Sequence, residues 1–244
     1  MRLVSRRLLM FAAMLFIAGA NGWTAQAYDR EPPRVAHFTS EYARIGFVLD
    51  RSGELAKLRF DGSEEILVLR LQPAAGGDRL LIRDDGETVL RISALGGVTL
   101  FTPENRQGVP VAPDGQVGPL IPVPPSIGEV RTTAGQIMAR LRAETGQEIV
   151  FEANWNAVSG DEGARGILFD AIRNAGTALF DVSRIVQGRI GITRYLRRVR
   201  FMQSRVVSIS MQGEMLIVAF SIEQGLAGRP SSYAIKRQLA QIMH

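Results

Sequence analysis

Apolar residues in the first half of the chain stand in short runs, alternating with polar ones or four to six together. IGFVLD (45–50), LAKLRF (55–60), EILVLRL (65–71), RLLIRD (79–84), TVLRIS (88–93) and GVTLF (97–101) follow one another at nearly even spacing. Leu67, Leu69 and Leu71 repeat with the period of two that puts every second side chain on one face of a strand. Between the runs stand Asp61-Gly62, Asp84-Asp85-Gly86 and Gly96-Gly97. Aspartate accepts local backbone hydrogen bonds and glycine supplies the positive φ of tight hairpin turns. The pattern predicts an antiparallel β-meander over 45–101, a small barrel or a curled sheet, with an extended segment over 28–44 before it.

The period changes after a proline-rich break, TPENRQGVPVAPDGQVGPLIPVPPS (102–126), which holds seven of the eleven prolines. Proline fixes φ and lacks an N–H, so this stretch reads as an extended linker. Beyond it Ala134, Ile137, Met138 and Leu141 recur at helical spacing, and Gly146 is a natural stop. QEIVFEA (147–153) reads as a strand. A long helix follows, with Ile167, Leu168, Ala171, Ile172 and Ala175 on one face, Leu179, Val182 and Val186 extending it, and Asp161 and Glu162 in its first turn. RVVSISM and EMLIVAFSI flank Gln212-Gly213 as a hairpin. A terminal helix starts at Ser231 or Ser232. The expected class is α+β, a meander followed by a helix-rich α+β half (127–244) that closes with a hairpin and a helix.

The front end changes the charge balance. Arg2, Arg6 and Arg7 precede an apolar run from Leu8 to Ala18, and Ala25-Gln26-Ala27 ends the segment. That is a positive n-region, an h-region and an A-x-A cleavage pattern, and the run falls short of the ~20 residues of a spanning helix. Residues 1–27 are therefore expected to be a signal peptide and the mature chain, starting at Tyr28, periplasmic or secreted, with no transmembrane segment after cleavage. From Tyr28 onward the chain holds 26 basic and 24 acidic residues and no cysteine, so the fold must rest on its hydrophobic core.

Catalytic signatures are missing. There are two histidines, His37 near the expected mature start and His244 at the end, both where chains fray, and no G-x-S-x-G. Ser232 precedes Lys236 by four residues, where a serine–lysine motif needs three. Asp84-Asp85-Gly86-Glu87 lacks the spaced ligands and distal glutamate of a calcium loop, and GDEGARG (160–166) lacks the phosphate-loop lysine. No cofactor or metal is expected. Trp155 reads as a core-packing residue rather than a stacking platform.

What remains is arginine. Seven arginines and no carboxylate lie between Val182 and Gly213. Placed on a helix, residues 193–203 gather Ile192, Tyr195, Leu196, Val199 and Met202 within about 120° and leave Arg194, Arg197, Arg198 and Arg200 outside. The ordinary reading is a solvated helix face. The functional one is an anion-binding face of Arg194, Arg197, Arg198, Arg200 and Arg205 for an anionic envelope component or a partner protein's acidic patch. No nucleic acid is expected, since export removes the chain from most of it and its net charge is small. Phe201 fits this helix poorly and marks either an anchor or the start of the next strand. The alternative function is an envelope glycan hydrolase, which requires two of Glu148, Glu152, Asp161 and Asp170 to face one cleft.

GFVLDRSGELAKLRF, RDDGETVLRISALGGVTLF and EQGLAGRPSSYAIKRQL together resemble an uncharacterised family of exported bacterial proteins catalogued only as a domain of unknown function. The resemblance implies export and this architecture over most of the chain, and it implies no active site.

Overall fold

The computed structural model describes residues 31–242. The expected signal peptide, residues 28–30 and His244 lie outside them. Eight strands form a closed antiparallel barrel: β1 (Val35–Ser40), β2 (Ile45–Asp50), β3 (Ala56–Phe60), β4 (Leu67–Pro73), β5 (Arg79–Ile82), β6 (Thr88–Ile92), β7 (Val98–Leu100) and β8 (Val109–Gly115). Each pairs with the next, and β8 returns to β1. Alternation sends Ala36, Phe38, Phe47, Leu49, Leu58, Leu67, Leu69, Leu90, Ile92 and Leu100 inward. Phe38 stacks on Phe47 at 5.5 Å between ring centres. Closure pairs every strand edge, which a lone meander would leave exposed.

Two expectations change here. The segment before residue 45 supplies β1, and the proline-rich stretch supplies β8 from its middle. Pro113 lies opposite Phe38 where the β1–β8 register shifts, a bulge that tolerates a residue without an N–H. The remainder, 116–126, runs extended, and the buried Leu120 anchors it: its N–H donates to Asp50 at 2.9 Å and its carbonyl accepts from Lys57 at 2.8 Å.

The second half packs helices on a four-stranded sheet. Its elements are α1 (Ile127–Thr145), β9 (Val150–Ala153), α2 (Trp155–Ser159), α3 (Glu162–Ser183), α4 (Val186–Tyr195), β10 (Arg198–Gln203), β11 (Ser208–Gln212), β12 (Met215–Phe220) and α5 (Ser232–Leu239). Ser126 and Glu129 form a reciprocal capping box on α1, and Gly146 ends it in the left-handed region at φ 70°. Asp161 caps α3 and Ser231 caps α5. The strand order is β11-β12-β10-β9, with β10 parallel to β9 and β12, and β11 antiparallel. Leu168, Ala171, Ile172, Ala175 and Leu179 of α3 fill the core against Phe151, Val199, Phe201, Leu216 and Val218.

The two halves keep separate cores joined by a polar seam. Asp84 accepts the Ser231 N–H at 2.7 Å and its hydroxyl at 2.5 Å, and Glu65 does the same for Ser232 at 2.8 and 2.5 Å. Two barrel carboxylates thus meet the positive end of α5. Buried Arg229 lies 2.7 Å from Asp170 and donates to the Ile66 carbonyl at 3.0 Å. Burial pushes the Glu65 and Asp170 carboxyls up.

Candidate functional site

The arginine-rich stretch is not one helix. α4 ends at Tyr195, and the chain enters β10 at Arg198, between β9 and β12. A strand with a partner on each side satisfies its backbone groups on both edges, and that outweighs a local helical period. Ile192, Leu196 and Val199 are buried as the helical arc implied, while Tyr195 and Met202 are about two-fifths exposed. Phe201 points into the core and meets Phe151 edge-on at 5.4 Å. Val186, expected to extend the apolar face of α3, opens α4 and is exposed.

The five predicted arginines consequently separate. Arg194 lies exposed at the end of α4, its guanidinium 5.2 Å from the Tyr195 ring centre. Arg197 donates to the Thr193 and Leu196 carbonyls at 2.8 and 3.0 Å, closing the C-terminus of α4, and lies 3.8 Å from Glu214. Arg198 and Arg200 leave the outer face of the sheet and bracket Glu152 at 3.7 and 2.8 Å. Arg205 is exposed in the loop after β10. Registers place Val150, Met202, Met215, Ile217 and Ser210 on that outer face, with no aromatic among them. Such a face offers no platform for stacking bases.

α4 itself is built inside out. Gly188 and Gly191 face the body of the protein, and a Cβ on Gly188 would lie 2.2 Å from the Val182 carbonyl oxygen. Only glycine permits that approach. Ile192 packs inward beside the glycines, but Ile185, Val186 and Ile190 lie at the surface, 52%, 58% and 59% exposed. Arg184, Arg189 and Arg194 stand among them, and only Arg184 has a carboxylate within ion-pair distance among the described residues, Asp181 at 3.8 Å. Arg189, Ile190, Thr193 and Arg194 line a shallow depression of about 320 Å³ beside Thr145 of α1. The glycine spacing was the sequence signal for this face, since residues three apart share one side of a helix.

The four candidate carboxylates do not converge. Glu152 is held by Arg200, Asp170 by Arg229, Asp161 caps α3 by accepting the Ala164 N–H at 3.0 Å, and Glu148 is exposed. Trp155 opens α2 and packs half-buried against the core. His37 corrects the expectation of a frayed residue. It sits in β1, its Nδ1 2.6 Å from Asp114 of β8 and its Nε2 3.0 Å from Asp61. Burial pulls the imidazole down, but the two carboxylates outweigh it and raise its pKa. With a carboxylate on each nitrogen, the ring has no free base for a serine and cannot turn both aspartates toward one metal ion. Among the described residues no group of three or more His, Asp or Glu side chains is arranged to hold a metal, and no helix is long and apolar enough to cross a membrane.

Fold and surface together define a two-part α+β protein, a closed eight-stranded antiparallel barrel joined to a helix-covered mixed sheet. The chain belongs to the family described as "Domain of unknown function (DUF4908)", whose profile matches residues 12–239. No curated protein and no solved structure matches it.

Proposed function

We propose that this is an exported cell-envelope protein that binds rather than catalyses, docking on an anionic phospholipid surface through α4. The observation that carries the reading is the helix turned glycine-side in, with Gly188 and Gly191 buried and Ile185, Val186 and Ile190 exposed beside Arg189 and Arg194. Apolar side chains that reach the acyl boundary, flanked by arginines at headgroup level, are the chemistry of an interfacial helix. Each arginine near an anionic surface is worth about 1 kcal/mol and each isoleucine or valine it buries about 1.5–3 kcal/mol. The second half also carries the positive charge, with 15 basic and 10 acidic residues from Ser126 onward against 11 and 14 between Tyr28 and Pro125. Arg198 and Arg200, which share Glu152 on the outer face of the sheet, leave the proposed contact, and Arg189 enters it.

Co-sedimentation with vesicles of phosphatidylglycerol or of neutral phosphatidylcholine tests this at low and high salt. The chain should pellet with the anionic vesicles at low salt and less at high salt. R189Q/R194Q should lose the salt-dependent part and I185S/V186S/I190S the remainder. No retention at low salt, or retention unchanged in both variants, overturns the docking. Cell fractionation with N-terminal sequencing tests export: the protein should lie outside the cytosol and begin at Tyr28, and an intact chain in the cytosol would sink that part.

A further inference from the structure

A second surface lies where the barrel meets the sheet. β11 is an edge strand of the open sheet, and its sequence, SISMQ, carries no charge and no proline, the usual guards of a free edge. It joins β12 through the two-residue turn Gly213-Glu214, with Gln212 opposite Met215. In such a hairpin the closing pair exchanges both backbone hydrogen bonds, as does every second pair after it. Gln212, Ser210 and Ser208 therefore bond to β12, and the N–H and C=O groups of Ile209 and Met211 face outward. The other edge, β9, has four residues and bears Glu152.

Beside β11 a cavity of about 400 Å³ opens between the two halves. Val207, Ser208 and Ile209 form one wall, and Ile66 with the outward residues Val68 and Arg70 of β4 forms another. Arg229 at its base is paired with Asp170, while Asp84 accepts the N–H and hydroxyl of Ser231 and keeps its negative charge. Arg70 is exposed and makes no ion pair among the described residues. Of the charged side chains lining the cavity, Arg70 is the one without a hydrogen-bond or ion-pair partner among the described residues.

We infer that the free edge of β11 and this cavity bind an extended peptide, which pairs its main chain with Ile209 and Met211 and sets an acidic side chain against Arg70. Main-chain pairing supplies affinity and the charge supplies selectivity. The site is separate from α4 and does not depend on lipid docking.

The test is fluorescence anisotropy of the full exported chain with a labelled octapeptide of alternating threonine and valine ending in two aspartates, beside one ending in two lysines. The acidic peptide should bind at least about tenfold more tightly. Arg70→Gln should bring the two within roughly twofold of each other. Met211→Pro removes an outward N–H but none of the hairpin's own bonds, and should weaken both peptides. The same loss is expected from N-methylation of alternate peptide residues, a control that leaves the protein untouched. Equal binding of methylated and unmethylated peptides overturns the inference, as does no binding up to about 1 mM. So does a dimer by light scattering that Met211→Pro converts to monomer, since a second copy would then own the edge.

Discussion

Replacing Asp50 by asparagine tests how the connection between the two halves is pinned. The Asp50 side chain is fully buried, 2.7 Å from Lys57 Nζ, and accepts the Ser52 hydroxyl at 2.6 Å and the N–H groups of Ser52 and Leu120 at 2.9 Å. Burial pushes the carboxyl up, but Lys57, Ser52 and Leu120 outweigh it and hold Asp50 at about 2 against an ordinary 3.8. At ~1.4 kcal/mol per pKa unit, that shift corresponds to about 2 kcal/mol in favour of the folded chain while Asp50 is ionised. Screening by water around the neighbouring loops brings it to about 1–2 kcal/mol. The asparagine side chain retains the shape but not the charge, so D50N should lower Tm by about 2–8 °C at neutral pH. The folded pKa is depressed, so the stabilisation is complete above the ordinary aspartate pKa and lost as pH falls through the folded value. The Tm gap between the two proteins should therefore be constant above about pH 5, narrow between about pH 4 and 2, and close below that. Thermal unfolding followed by far-UV circular dichroism across this range measures it. A gap of the same size at every pH would refute the assignment of the effect to the ionised carboxylate.

The seam between β1 and β8 should show the opposite dependence. The folded pKa of His37 is raised, so its stabilisation is complete below the ordinary histidine pKa and lost as pH rises through the folded value. The Tm advantage over His37→Asn should fall on going from about pH 6 to 9. Glu65 is buried with a raised pKa, so the folded chain gains stability as pH falls toward the ordinary glutamate range. Glu65→Gln should flatten that rise in acid unfolding curves without breaking the bonds to Ser232. Gly188→Ala places a methyl against the Val182 carbonyl and should cost about 1–3 kcal/mol in urea denaturation. It should also displace α4 and weaken vesicle binding.

Much of the fold was legible locally. Alternation in β2 to β7 and the Asp-Gly turns between them follow from a period of two and from residues that tolerate positive φ, such as Gly62 and Gly86. Ser126 with Glu129, Gly146, Asp161 and Ser231 mark helix ends because the caps lie within a few residues of the groups they satisfy. The candidate surface was legible only in part. Charge density singled out a stretch that includes Arg194 and Arg189, but the period carried Arg198 and Arg200 onto a helix that stops before them.

Those features depend on neighbours near in sequence, and the chain carries them without help from its fold. Long-range contact settled the rest. β8 closes the barrel although two prolines obscure its pattern, because β1 and β7 each offer it an unpaired edge, and His37 meets Asp114 across 77 positions. Residues 198–203 are a strand because β9 and β12 stand on either side of them. Ile185, Val186 and Ile190 face outward because Gly188 is what fits against Val182, and that preference has no counterpart in hydrophobicity alone.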